Sequence, residues 1–375
     1  MQRSPLMCAA ALCCLMVQAA QAQSSSVTFY GDIDQYFNYM SSSSGAKIKS
    51  LQDGALLRSR IGFRGTEVVD GGLSVKFNLE SGLSSDSGSS ADSSRFFDRQ
   101  AWVSLVSPTY GELKLGRQNT AVFTRGGNVD FTARTLGSIV NNFGVPARYD
   151  NDVSWASPVW SGWQAELHFA PGETSSGTTS QAVYQIALDY SNGPFKANYA
   201  SVRGKPPKDA AVSKTISYDN VNANYDYGSG KVYAAFVRSN NITSSSAGNT
   251  AGSLLGGTGT LVTGAASTEA DAKRFYNVWQ LSADYRVSSQ LRVGGLWGQI
   301  VDTSNSGRGA KGGALGAFYD FSKRTTVYAL TETMSNDSNA GFRPFGSAAL
   351  SPNFTGSDVN GQKISGAQVG IVHKF

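Results

Sequence analysis

Cysteine is confined to the first 22 residues, where Cys8, Cys13 and Cys14 are the three in the chain, so no disulfide framework is available to the rest. Histidine occurs twice, at His168 and His373. With them come no glycine-rich nucleotide loop, no nucleophile elbow and no paired histidines at metal spacing, so no enzymatic activity, metal or cofactor is expected. Charge is also scarce: 16% of residues are Asp, Glu, Lys or Arg, against roughly 25% in soluble globular chains. That deficit points to a solvent other than bulk water. After residue 22 no run approaches the ~20 consecutive apolar residues of a membrane helix. Any membrane role therefore falls to strands. The cations are interspersed with acids and form no long basic run, so nucleic-acid binding is not expected.

What is abundant is strand and turn material: 42 glycines, 16 tyrosines and 19 phenylalanines. The first 22 residues read as an export signal, with Arg3 before an apolar run from Leu6 to Ala20 and a small-x-small site at Ala20-Gln21-Ala22. A buried N-terminal helix is the competing reading. Cleavage after Ala22 leaves residues 23–375 as one domain and, with Arg3 gone, takes the formal charge from +5 to +4.

Where the remaining chain is regular, its period is two. Val27, Phe29, Ile33, Phe37 and Tyr39 alternate with Thr28, Asp32, Asp34 and Asn38. Leu57, Ser59, Ile61, Phe63 and Gly65 alternate with Arg58, Arg60, Gly62 and Arg64, which puts three guanidinium groups on one strand face. Leu73, Val75, Phe77 and Leu79 stand against Lys76, Asn78 and Glu80, and the pattern runs on to Phe375. About sixteen such segments can be marked, beginning near residues 27, 55, 72, 95, 111, 151, 163, 181, 195, 214, 230, 275, 290, 310, 324 and 363. The breaks alternate between tight turns, such as Val69–Gly72 and Ser191–Pro194, and long Ser, Gly and Asn-rich stretches: 41–54, 84–94, 119–150, 172–180, 202–213, 240–273, 302–308 and 335–362. Such asymmetry is expected of a closed antiparallel transmembrane β-barrel with short turns at one rim and long extracellular loops at the other. Soluble sandwiches of this many strands would need two domains and a linker, and no composition break divides the chain. At sixteen strands the lumen is wide enough for an aqueous channel.

Several blocks in serial order carry a resemblance: Ser26-Val27-Thr28-Phe29-Tyr30-Gly31-Asp32, Ser59-Arg60-Ile61-Gly62-Phe63-Arg64-Gly65, Leu79-Glu80-Ser81-Gly82, Phe97-Asp98-Arg99-Gln100-Ala101-Trp102, Leu115-Gly116-Arg117-Gln118 and the terminal Val369-Gly370-Ile371-Val372-His373-Lys374-Phe375. Together they resemble the general porins of β-proteobacteria over the whole of 23–375, most densely in its first 170 residues. The resemblance implies an outer-membrane homotrimer whose third long loop, 119–150, folds into the lumen as a constriction. It implies a basic cluster of Arg60, Arg99 and Arg148 on the barrel wall there. It also implies that Ile371, His373 and Phe375 belong to a signal read by the barrel-insertion machinery; an ordinary last strand that ends in Phe is the plainer reading. Arg58, Arg64, Lys76 and Arg117 are expected to surround the cluster on the pore wall, with Asp32, Asp34 and Glu80 as lumen acids. Asp130 is the one acid of the loop before its returning edge, beside Arg125 and Arg134, whereas members of the resembled family usually carry more acid there.

Tyr30, Tyr39, Trp102, Trp155, Trp160, Trp163, Tyr285 and Trp297 are candidates for membrane-interface girdles, or equally for lipid-facing bulk. Val27, Phe29, Leu57, Ile61 and Phe63 face either lipid or neighbouring subunits. Residues 240–273 read as a long mobile surface loop. The expected function is general diffusion of small hydrophilic solutes and ions with a mild anion preference, in contact with outer-membrane lipids. A substrate-selective channel for organic anions and a surface adhesin or binding protein are the alternatives.

Overall fold

The computed structural model describes residues 25–173, 181–206, 213–240 and 273–375. The expected export signal and nearly all of the expected loop 240–273 lie outside these. Eighteen hydrogen-bonded segments form one sheet. Lys47–Asp53 and Arg60–Val68 pair with successive halves of the first strand and make one interrupted strand, while Ser89–Ser90 merely extends an edge, so sixteen strands close the wall.

They run in chain order as β1 (Ser25–Ser42), β2 (Lys47–Asp53 with Arg60–Val68), β3 (Ser74–Ser84), β4 (Gln100–Ser107), β5 (Gly111–Asn119), β6 (Arg148–Ala156), β7 (Trp163–Ala170) and β8 (Val183–Asn192). They continue as β9 (Phe195–Gly204), β10 (Ile216–Asp226), β11 (Gly230–Ser239), β12 (Tyr276–Arg286), β13 (Leu291–Asp302), β14 (Ala310–Asp320), β15 (Thr325–Asn336) and β16 (Lys363–Lys374). Each pairs antiparallel with the next, and β16 returns to β1 in a register that runs from Asp32↔Lys374 to Ser42↔Ile364. The last residue finishes the seam: Gly31 N donates to Phe375 O at 3.1 Å and Phe375 N to Gly31 O at 3.0 Å. A Cβ on Gly31 would lie 2.5 Å from the Phe375 ring, so glycine at this position is what lets the terminal aromatic pack against β1.

The alternation sorts the two faces. Val27, Phe29, Phe37, Val103, Leu115, Leu281 and Leu315 are exposed on the outside, whereas Asn38, Ser104, Gln118, Asn222 and Gln280 on the opposite register are buried. Three expectations are corrected here. Residues 41–54 are not a long loop, because Lys47–Asp53 pairs with Gln35–Ser41 of β1, and the connection shrinks to the turn between Ser42 and Lys47. The irregularity falls instead at 54–59, so Leu57 and Arg58 are not strand residues, and Leu57 lines an internal cavity instead of facing lipid or a neighbour. Tyr30 and Trp102 turn inward: Tyr30 Oη donates to Asn78 Oδ1 (2.8 Å) and Glu80 Oε2 (2.9 Å), and Trp102 Nε1 to Gln100 Oε1 (2.7 Å). Of the other expected girdle residues, Tyr39, Trp160, Trp163, Tyr285 and Trp297 stand exposed, and Trp155 is half-buried with its Nε1 donating to Tyr110 O (2.9 Å).

The inner face is less watery than its sequence suggests. Tyr36, Met40, Val202, Tyr218, Val237, Tyr276, Val278 and Ile300 are all buried inside, where they meet apolar residues of two long connections, among them Phe143 and Phe342.

Deleting Phe375 removes both backbone bonds to Gly31 and the contact with the Phe29 ring, whose centroid is 5.7 Å away. A cost of about 2 kcal/mol is expected. The folded deletion variant should lose its compact gel mobility several degrees below the wild type in a heating series. An unchanged transition would show that the seam does not depend on the terminal residue.

Candidate functional site

The site begins at the break in β2. Asp34, on the inner face of β1, is fully buried, and its Oδ2 accepts Leu56 N (2.7 Å) and Leu57 N (2.8 Å) while Oδ1 accepts Tyr328 Oη (2.6 Å). Expected on the pore wall, Asp34 instead holds the backbone of 54–59 in its irregular course through Oδ2, while Oδ1 ties it to Tyr328. The break turns Leu56, Leu57 and Arg58 towards the barrel interior.

The connection between β5 and β6 reaches the opposite wall. It contains two short helices, α1 (Ala121–Thr124) and α2 (Ile139–Phe143), each capped by a hydroxyl: Thr120 Oγ1 accepts Phe123 N, and Ser138 Oγ accepts Asn141 N. Its seat is made of inward-facing glycines. The Phe131 ring occupies the space that a Cβ on Gly294 or Gly316 would need, and Ile139 that of Gly298. Gln280 Oε1 accepts Ile139 N (2.7 Å), and Arg125 ties the near end to Glu166 (2.8 Å) and to Asp189. His168 extends this network, with its two nitrogens 2.7 Å from Asp152 and 2.8 Å from Glu166. Asp130, expected in the constriction, is corrected: it is buried, and accepts from Thr132 N (2.9 Å), Thr132 Oγ1 (2.7 Å), Arg134 N (3.0 Å) and Gln280 Nε2 (2.7 Å). It staples a turn of the connection and does not line the arginine cavity described next.

The connection between β15 and β16, expected at the surface, also packs inward. Asn141 Nδ2 donates to Phe345 O (2.6 Å), Asn142 Oδ1 accepts Phe345 N (2.9 Å), and Arg58 N donates to Ser347 Oγ (2.9 Å). The sequence signal for this packing is faint: adjacent Asn141 and Asn142 opposite a chain with Phe342, Leu350 and Phe354, all of which are buried.

Between these three pieces of chain and the wall lies a cavity of about 800 Å³. Arg58, Arg60, Arg99, Arg134 and Arg148 line it, with Asp92 and Asp98 as its lining carboxylates. The expected trio Arg60, Arg99 and Arg148 is thus brought together, but its members differ. Arg60 Nε is 2.8 Å from Asp32, and Arg99 Nε is 2.6 Å from Glu80, which also lies 3.7 Å from Arg60. Arg58 is 4.0 Å from Asp53. Arg148 has no carboxylate within ion-pair distance among the described residues, and its Nε and Nη2 have no hydrogen-bond partner among them. Its guanidinium lies 4.9 Å from the centre of the Phe123 ring, and Arg134 lies 4.5 Å from the same ring. Burial pushes the Arg134 guanidinium below its ordinary value. Burial acts on Arg125 too, but the Asp189 and Glu166 carboxylates outweigh it and raise the value. Both stay cationic.

The other expected wall residues scatter. Arg64 lies 5.0 Å over the Tyr30 ring on the inner face, and Lys76 shares that face with its cross-strand neighbour Ser104. Arg117 is corrected: it follows Leu113 and Leu115 on the outer register, paired with Ala101 on the face of Val103 and Leu105, where it bonds Asp150 and the Asp98 carbonyl and does not line the cavity. His373 lies on the outer register, bonded to Thr325 Oγ1 at 2.9 Å, with Ile371 exposed beside it. Among the described residues no group of three His, Cys, Asp or Glu side chains is placed to hold a metal.

A closed sixteen-stranded antiparallel wall with an apolar exterior and a charged interior defines a transmembrane β-barrel. The family description "Gram-negative porin" matches residues 9–339, and the chain belongs to that family. It is 29% identical over 361 residues to an outer membrane porin protein of Bordetella pertussis, with 86% of this chain and 91% of that one covered. It is 25% identical to outer membrane porin protein 32 of Delftia acidovorans, over 97% of this chain and 98% of that one. Among solved structures, the anion-selective porin from Comamonas acidovorans superposes with a TM-score of 0.75 at 23% identity, over 94% of this chain and all of that one. The protein is an outer-membrane barrel.

Arg125→Gln would leave Glu166 and Asp189 without their shared cation, and removing one partner of a buried pair costs on the order of 3–5 kcal/mol. The β5–β6 connection should then fluctuate, seen as increased open-channel noise and faster proteolysis within 120–147. Noise and cleavage equal to wild type would show that the anchor lies elsewhere.

Proposed function

We propose that the protein is a water-filled diffusion channel for small hydrophilic solutes and ions, with a modest preference for anions. The observation that carries this reading is the arginine-lined cavity: five guanidinium groups and two lining carboxylates, in a chain whose net charge is only +5. Its narrowest section is formed by residues 119–150 against Arg60, Arg99 and Arg148, with residues 345–347 as a further edge. Support for this comes from the contacts of the β5–β6 connection with the far wall and from the packing of the β15–β16 connection upon it. The name of the structurally similar Comamonas porin, "anion-selective", agrees with the same sign. Anions gather over a distance comparable with the Debye length, about 10 Å at 0.1 M salt. A homotrimer is part of the proposal, with the exposed Val27, Phe29 and Phe63 on the first strands as subunit-facing surface. Ile371, His373 and Phe375 are proposed as the segment read by the insertion machinery.

The test is the zero-current potential in a KCl gradient. Arg148→Gln with Arg134→Gln should move it towards cation preference. Arg60→Gln with Arg99→Gln should move it in the same direction, because Asp32 and Glu80 are then left uncompensated. Both shifts should shrink at 1 M salt, where the Debye length is about 3 Å. Wild-type potentials at low salt in both double variants would sink the assignment.

A further inference from the structure

The outward face of β9 to β12 carries its cations at one end only. Arg203 and Arg238 stand near the long-loop ends of β9 and β11, and Lys205 and Lys214 flank the connection between β9 and β10. Lys205 Nζ lies 5.6 Å from the centre of the Tyr184 ring, and Arg238 and Lys214 share the Phe275 ring at 4.6 and 5.9 Å. Arg203 is paired with Asp219 at 2.8 Å. Among the described residues no other carboxylate is in ion-pair contact with these four groups, and Arg238, Lys214 and Lys205 lie on aromatic platforms, with Arg238 Nη1 also donating to the neutral Asn277 Oδ1 at 3.0 Å. At the opposite rim the same strands present Phe195, Tyr225 and Tyr285 outward. There Lys231 falls on the inward register, shared with buried Tyr233 and Ala235.

Directly beneath Arg238 the wall is hollowed. Val221, Phe236 and Trp279 form one cross-strand row, and Ala223, Ala234, Leu281 and Trp297 the next. The two alanines are too small to fill the space between the rings, which leaves an outward-facing apolar groove of about 350 Å³. Trp279, Leu281 and Trp297 remain more than half exposed around it. Phe236 precedes Arg238 by two residues on the same face, so the groove begins one side-chain row, about 7 Å along the strand, from the Arg238 backbone.

A groove of this kind on the outside of a membrane barrel meets acyl chains, and cations one row above it meet headgroups. A zwitterionic headgroup would answer one charge and bring another of the same sign as the patch, whereas three uncompensated cations match a headgroup carrying two phosphates. We propose that the outer wall over β9 to β12 docks an anionic, phosphate-bearing lipid of the outer leaflet. Its phosphates contact Arg238, Lys214 and Lys205, and one acyl chain lies in the groove between Phe236, Trp279 and Trp297. The proposal depends on the outer-membrane location and not on the conduction reading.

The full-length protein, purified and delipidated in mild detergent, is titrated with bisphosphorylated lipid A and with its dephosphorylated form, and bound lipid is counted by native mass spectrometry. Wild-type protein should retain lipid A at least tenfold better than the dephosphorylated lipid. Arg238→Gln with Lys214→Gln should lower retention of lipid A roughly thirtyfold, at about fivefold per lost cation. Ala234→Phe, which fills the groove and leaves the cations in place, should lower retention of both lipids. Wild-type heat-modifiable gel mobility in each variant verifies the barrel. Equal retention of the two lipids, insensitivity to both variants, or displacement of lipid A by millimolar inorganic phosphate would overturn the proposal, the last by showing a free-anion site.

Discussion

In hydrocarbon each unpaired backbone N–H or C=O costs several kcal/mol, so a sheet that spans a membrane cannot keep a free edge. Everything else here depends on that closure. The return of β16 to β1 fixes a register, and because side chains alternate with a period of two, the register decides which half of every strand meets lipid. Charge is then restricted to the inner register and the rims, and the low charged fraction of 16% follows from the geometry. The seam also explains a glycine: Gly31 accepts the Phe375 ring across the closing pair, where any side chain would push the last residue out of the ladder.

Closure tolerates one interruption, at 54–59, because the groups released there find partners inside. Asp34 takes the N–H groups of Leu56 and Leu57. Ala55 O accepts Leu136 N at 3.3 Å and Ser347 N at 3.2 Å, and Gly54 O accepts Ala348 N at 2.9 Å. The break therefore binds both inward-packed connections through its own unmet backbone valences. It sets the height in the barrel at which they sit and presents Arg58 beside them. A continuous β2 would spend those groups in the ladder and leave the two connections without this anchor.

The strands were legible because lipid imposes a strict apolar face on one register, and most strand starts from β3 onwards fall within two or three residues of the alternation. The break in β2 was not, because Asp34 looks like any inward acid until its partners are seen, and Ser41–Gly54 is polar enough to pass for a loop. Inward packing of 337–362 was hidden for a related reason. Tyr218, Val237 and Val278 make the inner register apolar where loops cover it, and alternation cannot tell loop-facing from lipid-facing surface. The trio Arg60, Arg99 and Arg148 was legible by resemblance alone, since no periodicity joins three strands. The failure of Asp130 and Arg117 has a local cause in each case: a turn consumes the carboxylate, and the odd position of Arg117 puts it on the outward register of Leu113 and Leu115, as the alternation of its own strand dictates.

The pairing of the arginines changes where the positive potential originates. Arg60 and Arg99 stand on the wall, but Asp32 and Glu80 match them in number, and their charge is largely local. Arg95 and Arg117 are likewise matched by Asp92 and Asp150. Arg134 and Arg148 have the face of Phe123 instead of a carboxylate. A ring face eases the desolvation of a guanidinium without cancelling its charge, and Asp98 is the one lining carboxylate without an ion pair among the described residues. The uncompensated charge of the cavity therefore belongs to the β5–β6 connection and its return into β6. Acid is scarce in that connection because the one acid before its returning edge, Asp130, is buried in a turn. Charge held on a connection anchored by Arg125 and by Asn141 moves with it, so the potential at this level and the position of the connection are a single property of the structure.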